Sequence, residues 1–218
     1  MVARLREADA AMTDPDQIMI CWGLDPIYLT GERLVGRHLD AVSERRQIFI
    51  LHASGHLATV NSAVIRHDNI TADNPTPGIQ RDEYGQPNGE LQEPAAMSLA
   101  SGQRMLREGY AGELAKWNYA YEARNAGHTL VTDLGTSSVD EQGVANWSAV
   151  TSHPDYPTRV MVAGSVFATA LPPEDIARRV VQLRDNPPND KLRFGIIKLI
   201  IDGSIQGFSA RLRWPGYY

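Results

Sequence analysis

The chain has 218 residues, 43% of them hydrophobic and 22% charged, with a formal net charge of -5. That length suits one large or two small domains, and the acidic balance gives no electrostatic case for nucleic acid or an anionic membrane as partner. No apolar run approaches the ~20 residues that cross a bilayer, the opening MVARLREADAAM lacks the apolar core of a secretory signal, and the single Cys21 excludes an internal disulfide, so a reducing cytoplasmic setting is the default expectation.

Val2, Leu5, Ala8 and Met12 recur at helical spacing until Asp14-Pro15-Asp16 breaks the pattern, and a strand is expected from Ile18 to Trp22. Gly23 to Arg37 has no period and reads as a structured loop, and Asp40 to Arg46 reads as a polar helical turn. The run QIFIL, Gln47 to Leu51, predicts a buried strand leading into His52-Ala-Ser-Gly-His56, and Asn61-Ser62 are capping residues for a helix over AVIRHD. Successive turn signals between Asn69 and Pro94 predict a small irregular hairpin from Gly78 to Leu91. Helices are expected over Met97 to Leu106 and Tyr110 to Asn125, the second closed by Gly127.

From Gly127 the pattern becomes regular. A strand over Leu130 to Leu134, a helix opened by the capping box Ser138-Val-Asp-Glu141, a strand over Arg159 to Val166, a helix from Pro172 through Leu183 and the run FGIIKLIIDGS make two βαβ units. This is part of an α/β sheet or barrel, with residues 1–126 as an α+β segment and 127–218 as the βαβαβ part.

Active groups in such folds sit at the carboxyl ends of strands. Asp133-Leu-Gly-Thr-Ser-Ser138 is a polar turn at one such end, read as a turn plus N-cap because no Gly-rich phosphate motif accompanies it. His52 and His56 lie four apart like a zinc pair, yet Gly55 intervenes and no glutamate follows the first, so the HExxH mechanism is absent. Lys198 interrupts an apolar run expected to be covered on both faces. A desolvated lysine serves as a base, as a Schiff-base nucleophile or, after reaction with CO2, as a carbamate that bridges metals; alternatively it pairs with a carboxylate such as Asp202. The residues alone leave these roles open.

Several stretches together resemble the metal-dependent amidohydrolase superfamily, in the branch of N-substituted formamide deformylase and the YtcJ-like hydrolases. They are Trp22 to Pro26 (WGLDP), Leu39 to Ser43 with Ile48 to Leu51, Ser54-Gly-His56 with Val60 to Ala63, Gly85 to Glu93 (GQPNGELQE), Gly127 to Asp133 (GHTLVTD), Lys198 to Gly203 (KLIIDG) and Pro215 to Tyr218. The resemblance implies a partial (β/α)8 TIM barrel, about strands 2–4, with an inserted α+β subdomain. It implies hydrolysis of non-peptide C–N bonds, amide- or formamide-like, by water activated on one or two divalent metals, zinc by preference. Lys198 matches the carboxylated fourth-strand lysine, and His56 and Glu93 match positions near a small amide-like substrate. The family's first-strand His-x-His, later histidines and final-strand aspartate have no counterparts, so the expectation is a hydrolase fragment that needs the missing barrel segments, inactive alone and poorly soluble through its open strand edges. A non-catalytic α/β binding protein derived from the same barrel is the alternative.

Overall fold

Two hydrophobic periods run through the chain, and the computed structural model, which describes residues 1–135, 137–166, 168–214 and 216–217, turns them into two sheets with helices. The chain divides into two compact units, Met1–Met105 with Ile201–Tyr218, and Leu106–Ile200.

The first unit contains α1 (Val2–Ala11), β1 (Met19–Leu24), a 3-10 turn (Pro26–Tyr28), α2 (Gly36–Asp40), β2 (Ile48–His52), β3 (Leu57–Val60), α3 (Ser62–His67), β4 (Ile79–Arg81), β5 (Pro87–Gln92) and α4 (Glu93–Met97). Its sheet runs β1-β2-β3-β5-β4, with β1 and β2 parallel and the remaining pairs antiparallel. Leu5, the one buried residue of α1, packs with Met19, Leu39, Ile48 and Ile50, so the first helix is held to the parallel pair through a single side chain. The expected hairpin is the β4–β5 pair.

Asn61 ties this unit together from a fully buried position. Its Oδ1 accepts the N–H of Ile48 at 3.0 Å and of Val64 at 3.3 Å, which makes it the N-cap of α3 as expected. Its Nδ2 donates to the carbonyls of Ser43 and Arg46, each at 2.8 Å. The helical turn expected over Asp40 to Arg46 is displaced, with α2 ending at Asp40. Ser43 Oγ accepts the N–H of Arg45 and Arg46, which gives that backbone a side-chain alternative to a helical bond. The helix expected from Met97 instead ends there, and α5 (Ser101–Ala111) starts afresh where Asp68 accepts both the N–H and the hydroxyl of Ser101.

The second unit contains α6 (Glu113–Asn125), β6 (Leu130–Asp133), α7 (Glu141–Thr151), β7 (Arg159–Ser165), α8 (Pro173–Asp185) and β8 (Leu192–Lys198). The strands form a parallel sheet in the order β6-β7-β8. Val160, Val162, Leu192 and Phe194 pack with Trp147 and Val150 of α7 and Ile176, Val180 and Leu183 of α8 in one apolar cluster. Each such aliphatic side chain contributes roughly 1.5–3 kcal/mol on full burial. Gly164 permits the close approach, because a Cβ there would lie 2.6 Å from Val180 Cγ2 and 2.9 Å from Ile176 Cγ2.

Two expectations change here. The α7 cap is Asp140, whose Oδ1 accepts the Gly143 N–H at 2.8 Å, while Ser138 Oγ accepts the Asp140 N–H and holds the cap from outside the helix. A Cβ on Gly143 would lie 2.1 Å from the Ser138 carbonyl oxygen, so the glycine admits this tight entry. The FGIIKL run is also not covered on both faces: Ile196, Ile197 and Leu199 are 38%, 47% and 65% exposed. Apolar composition records what a strand would bury, and the described helices cover Leu192 and Phe194 but not the residues beyond them.

A bulge lies at this boundary. Val162 pairs with Phe194 and Ala163 pairs with Ile196, so Gly195, at φ 145°, is the extra residue. Paired residues share a face, so Phe194 lies on the helix-packed face of Val162, whereas Ile196 and Lys198 lie on the face of Ala163 and Ser165.

Candidate functional site

The carboxyl ends of the parallel strands in the second unit bring together Gly135, Ser165 and Lys198. A Cβ on Gly135, which has φ 111°, would lie 3.0 Å from Ser165 Cβ and Oγ and 3.5 Å from Lys198 Cγ. Ser165 is buried and pairs in register with Lys198. The turn after β6 is shaped by Asp133, whose Oδ1 accepts the Gly135 N–H at 3.1 Å. The polar turn expected over Asp133 to Ser138 is therefore present at its two ends, and its Thr136 lies outside the described residues.

Lys198 is half-buried, not sealed in a core. Asp202, offered as its alternative partner, belongs to the first unit. There its carboxylate accepts the N–H of Arg211 at 2.9 Å and of Gly203 at 2.8 Å, and these bonds hold its pKa below the ordinary aspartate value.

In the first unit the β2–β3 hairpin separates the two histidines of the His-x-x-x-His spacing. His52 ends β2 inside the sheet, its Nε2 2.9 Å from Thr59 Oγ1, while its Nδ1 is buried without a partner among the described residues. Burial lowers its pKa to about 4, opposed by the nearby Glu90 carboxylate, with the Arg33 guanidinium adding to the lowering. His52 is thus a neutral structural imidazole, and a helical zinc pair with His56 does not form.

His56 sits in the turn between the strands and is doubly bound to Glu93. Its Nδ1 lies 2.8 Å from Glu93 Oε2, and its carbonyl accepts the Glu93 N–H at 2.7 Å. Glu93 has φ 65°, a left-handed backbone uncommon for glutamate. Its Oε1 is buried with no partner among the described residues, and a Cβ on Gly203 would lie 2.7 Å from that oxygen. The structure therefore joins His56 and Glu93, 37 positions apart in sequence, into one strained, polar, partly exposed pair. Ser165 went unrecognised in the sequence, although it stands at the end of a predicted strand; Gly203 was noted only as the last residue of the KLIIDG stretch.

Among the described residues no group of three or more His, Cys, Asp or Glu side chains is arranged to hold a metal ion. These residues do not make a complete metal site, and Lys198 stands at the strand ends beside Ser165. No helix of the described chain is long and apolar enough to cross a membrane.

A parallel sheet backed by helices, with a lysine at the strand mouth, is the arrangement of an α/β protein with a strand-end site. The amidohydrolase family model matches residues 1–215, and the chain belongs to that family. Two crystal structures of uncharacterized metal-dependent hydrolases, from Pyrococcus horikoshii OT3 and Pyrococcus furiosus, are similar to it, each at 18% identity and TM-score 0.51. The match covers 95% of this chain and 38% and 40% of theirs, so the chain spans about two fifths of the length of those proteins. No curated protein matches the chain.

Proposed function

We propose that this chain is part of a metal-dependent hydrolase with a (β/α)8 barrel, in the YtcJ-like and N-substituted formamide deformylase branch, acting on a non-peptide C–N bond in a small amide-like molecule. The observation that carries this reading is the family match over residues 1–215 combined with Lys198 at the carboxyl end of β8, on the strand face turned away from the helices. In a barrel that face is the interior. The β6–β8 strands stand for barrel strands two to four.

Lys198 acts here as a carbamate. Its neutral amine adds to CO2, forming one N–C bond and releasing one proton, and the lysine becomes an anionic bidentate donor. The small Gly135 and Ser165 leave room for the added group beside the lysine stem. Water activated by one or two divalent ions, zinc by preference, requires further donors beyond the described residues, which is why the parent barrel and not the isolated chain is assigned the activity. His56 and Glu93 take the substrate-binding role, with the Glu93 carboxylate holding the imidazole ring in one orientation. A non-catalytic descendant of the barrel is the competing reading, favoured by the lack of a metal cluster among the described residues.

The test uses the full product of the gene, supplied with zinc and bicarbonate and assayed on N-substituted formamides. The expected result is hydrolysis that Lys198→Ala abolishes, together with loss of bicarbonate-derived 13C from that position. Unchanged turnover in Lys198→Ala refutes the carbamate role. A zinc-free, inactive natural product of 218 residues favours the non-catalytic reading.

A further inference from the structure

Two unfavourable features meet at Glu93: a left-handed backbone at φ 65°, and an Oε1 that is buried with no hydrogen-bond partner among the described residues. Both cost free energy, so the surroundings must hold the carboxylate where it is. The end of the β3–β5 ladder does part of this. Leu57 pairs with Gln92, and one residue on the Glu93 N–H donates to the His56 carbonyl at 2.7 Å, which sets the two backbones opposite each other.

The turn that begins at Asp202, in the same compact unit, does the rest. Asp202 Oδ1 accepts the N–H of Gly203 at 2.8 Å and of Arg211 at 2.9 Å, so one carboxylate clasps both ends of the segment 203–211. Inside it the buried Ser204 accepts the N–H of Ser209 and Ala210 on its carbonyl, at 3.0 and 3.1 Å, and that of Gly207 on its Oγ at 3.0 Å. The result is an Ω-like loop closed on itself that turns two glycines toward the sheet. A Cβ on Gly207 would lie 2.2 Å from Leu57 Cδ1, and one on Gly203 would lie 2.7 Å from Glu93 Oε1. The loop backbone therefore lies against the carboxylate with no space for a side chain between them, and Oε2 is left to face His56.

An ionised carboxylate only accepts hydrogen bonds, so the 2.8 Å contact between Glu93 Oε2 and His56 Nδ1 puts the ring proton on Nδ1. Nε2 then carries a lone pair. It makes no hydrogen bond among the described residues, and the side chain is 24% exposed.

We propose that Asp202 and Gly203 are positioning residues for His56: their turn holds the Glu93 carboxylate against the ring, and the ring, kept in its Nδ1–H form, meets its ligand through the Nε2 lone pair. The group that faces it must then bring a hydrogen, as the N–H of an amide does. This rests on the substrate-binding reading of His56 and Glu93. Asp202 itself hydrogen-bonds only to backbone of its own turn among the described residues, so any effect it has on the ring passes through Glu93.

The test records the ring 15N shifts of His56 in the 218-residue chain by long-range 1H–15N NMR near pH 8, above the ordinary imidazole value of about 6.5. No metal or substrate is added, so failure of the hydrolase assay and failure of this proposal are separate results. In the native chain Nδ1 is expected in the protonated range and Nε2 in the unprotonated range. Asp202→Ala unties both ends of the turn and should move the two shifts toward each other as the Nε2–H form gains. Asp202→Asn, which keeps an oxygen for the same two N–H groups, should restore the native shifts, and Glu93→Ala, which removes the acceptor, should give the full change. A native His56 protonated on Nε2, or native shifts in Asp202→Ala, overturns the proposal.

Discussion

His52 makes the first unit a pH-sensitive structure. In the unfolded chain an imidazole titrates near 6.5, whereas in the fold burial lowers the pKa to about 4. Between these values the unfolded state binds more protons, so stability rises with pH through that window and is lost as pH falls from about 6.5 toward 4. The shift corresponds to roughly 3 kcal/mol in total, and about 2 kcal/mol of it should be gone by pH 5. The physical origin is specific: Nε2 is engaged with Thr59, and Nδ1 has no acceptor among the described residues to receive a second N–H. Two measurements check this. The ring resonance of His52 in an NMR titration should keep its neutral shift until near pH 4. In addition, hydrogen exchange at the Phe49 and Leu51 amides should accelerate from pH 7 to pH 5, after correction for the intrinsic rate, and His52→Gln should remove most of that dependence. A His52 midpoint near 6.5, or an identical pH dependence in His52→Gln, refutes the argument.

Other positions give simpler expectations. Asn61→Ala removes four hydrogen bonds at a fully buried point and strands their backbone partners, a loss of about 3 kcal/mol or more, read by urea unfolding of the first unit. Gly164→Ala forces a methyl against Val180 and Ile176 and should cost about 1–3 kcal/mol in the second unit, followed by thermal unfolding. Asp140→Ala removes the α7 cap and should cost about 1 kcal/mol, while Ser138→Ala, outside the helix, should cost less; the reverse order would restore Ser138 as the cap.

Legibility in the sequence followed the range of the interactions. The β6–α7–β7–α8–β8 order was readable because each element buries a periodic face and the turn residues are local. The Asn61 cap was readable for the same reason, but its bonds to Ile48, Ser43 and Arg46 were not, since no local pattern says which backbone lies across the sheet. Strand β3 was missed because Leu57 to Val60 is only four residues long and follows a His-Ala-Ser-Gly-His stretch that looked like a loop motif. Lys198 stands out in the sequence by its apolar neighbours, yet those neighbours give no measure of cover, and the strand end is exposed. His56 and Glu93 entered only as separate positions of the family resemblance, and their contact was not foreseen, because distance in sequence hides it from spacing arguments. The closing Pro215 to Tyr218 resemblance has its two end residues outside the described chain.

Gly195 has a consequence that reaches beyond its own bend. Because it adds one residue to β8 without a partner on β7, the strand is read in one phase up to Phe194 and in the other from Ile196. Were Gly195 instead to pair with Ala163 as an ordinary strand residue, every later residue would slip by one, with Ile197 beside Ser165 and Lys198 carried to the helix-packed side. The chemistry available at the strand mouth is thus set by the bulge as much as by the lysine itself. Regular pairing would exchange an amine for a hydrocarbon there while leaving every side chain in the strand unaltered in identity.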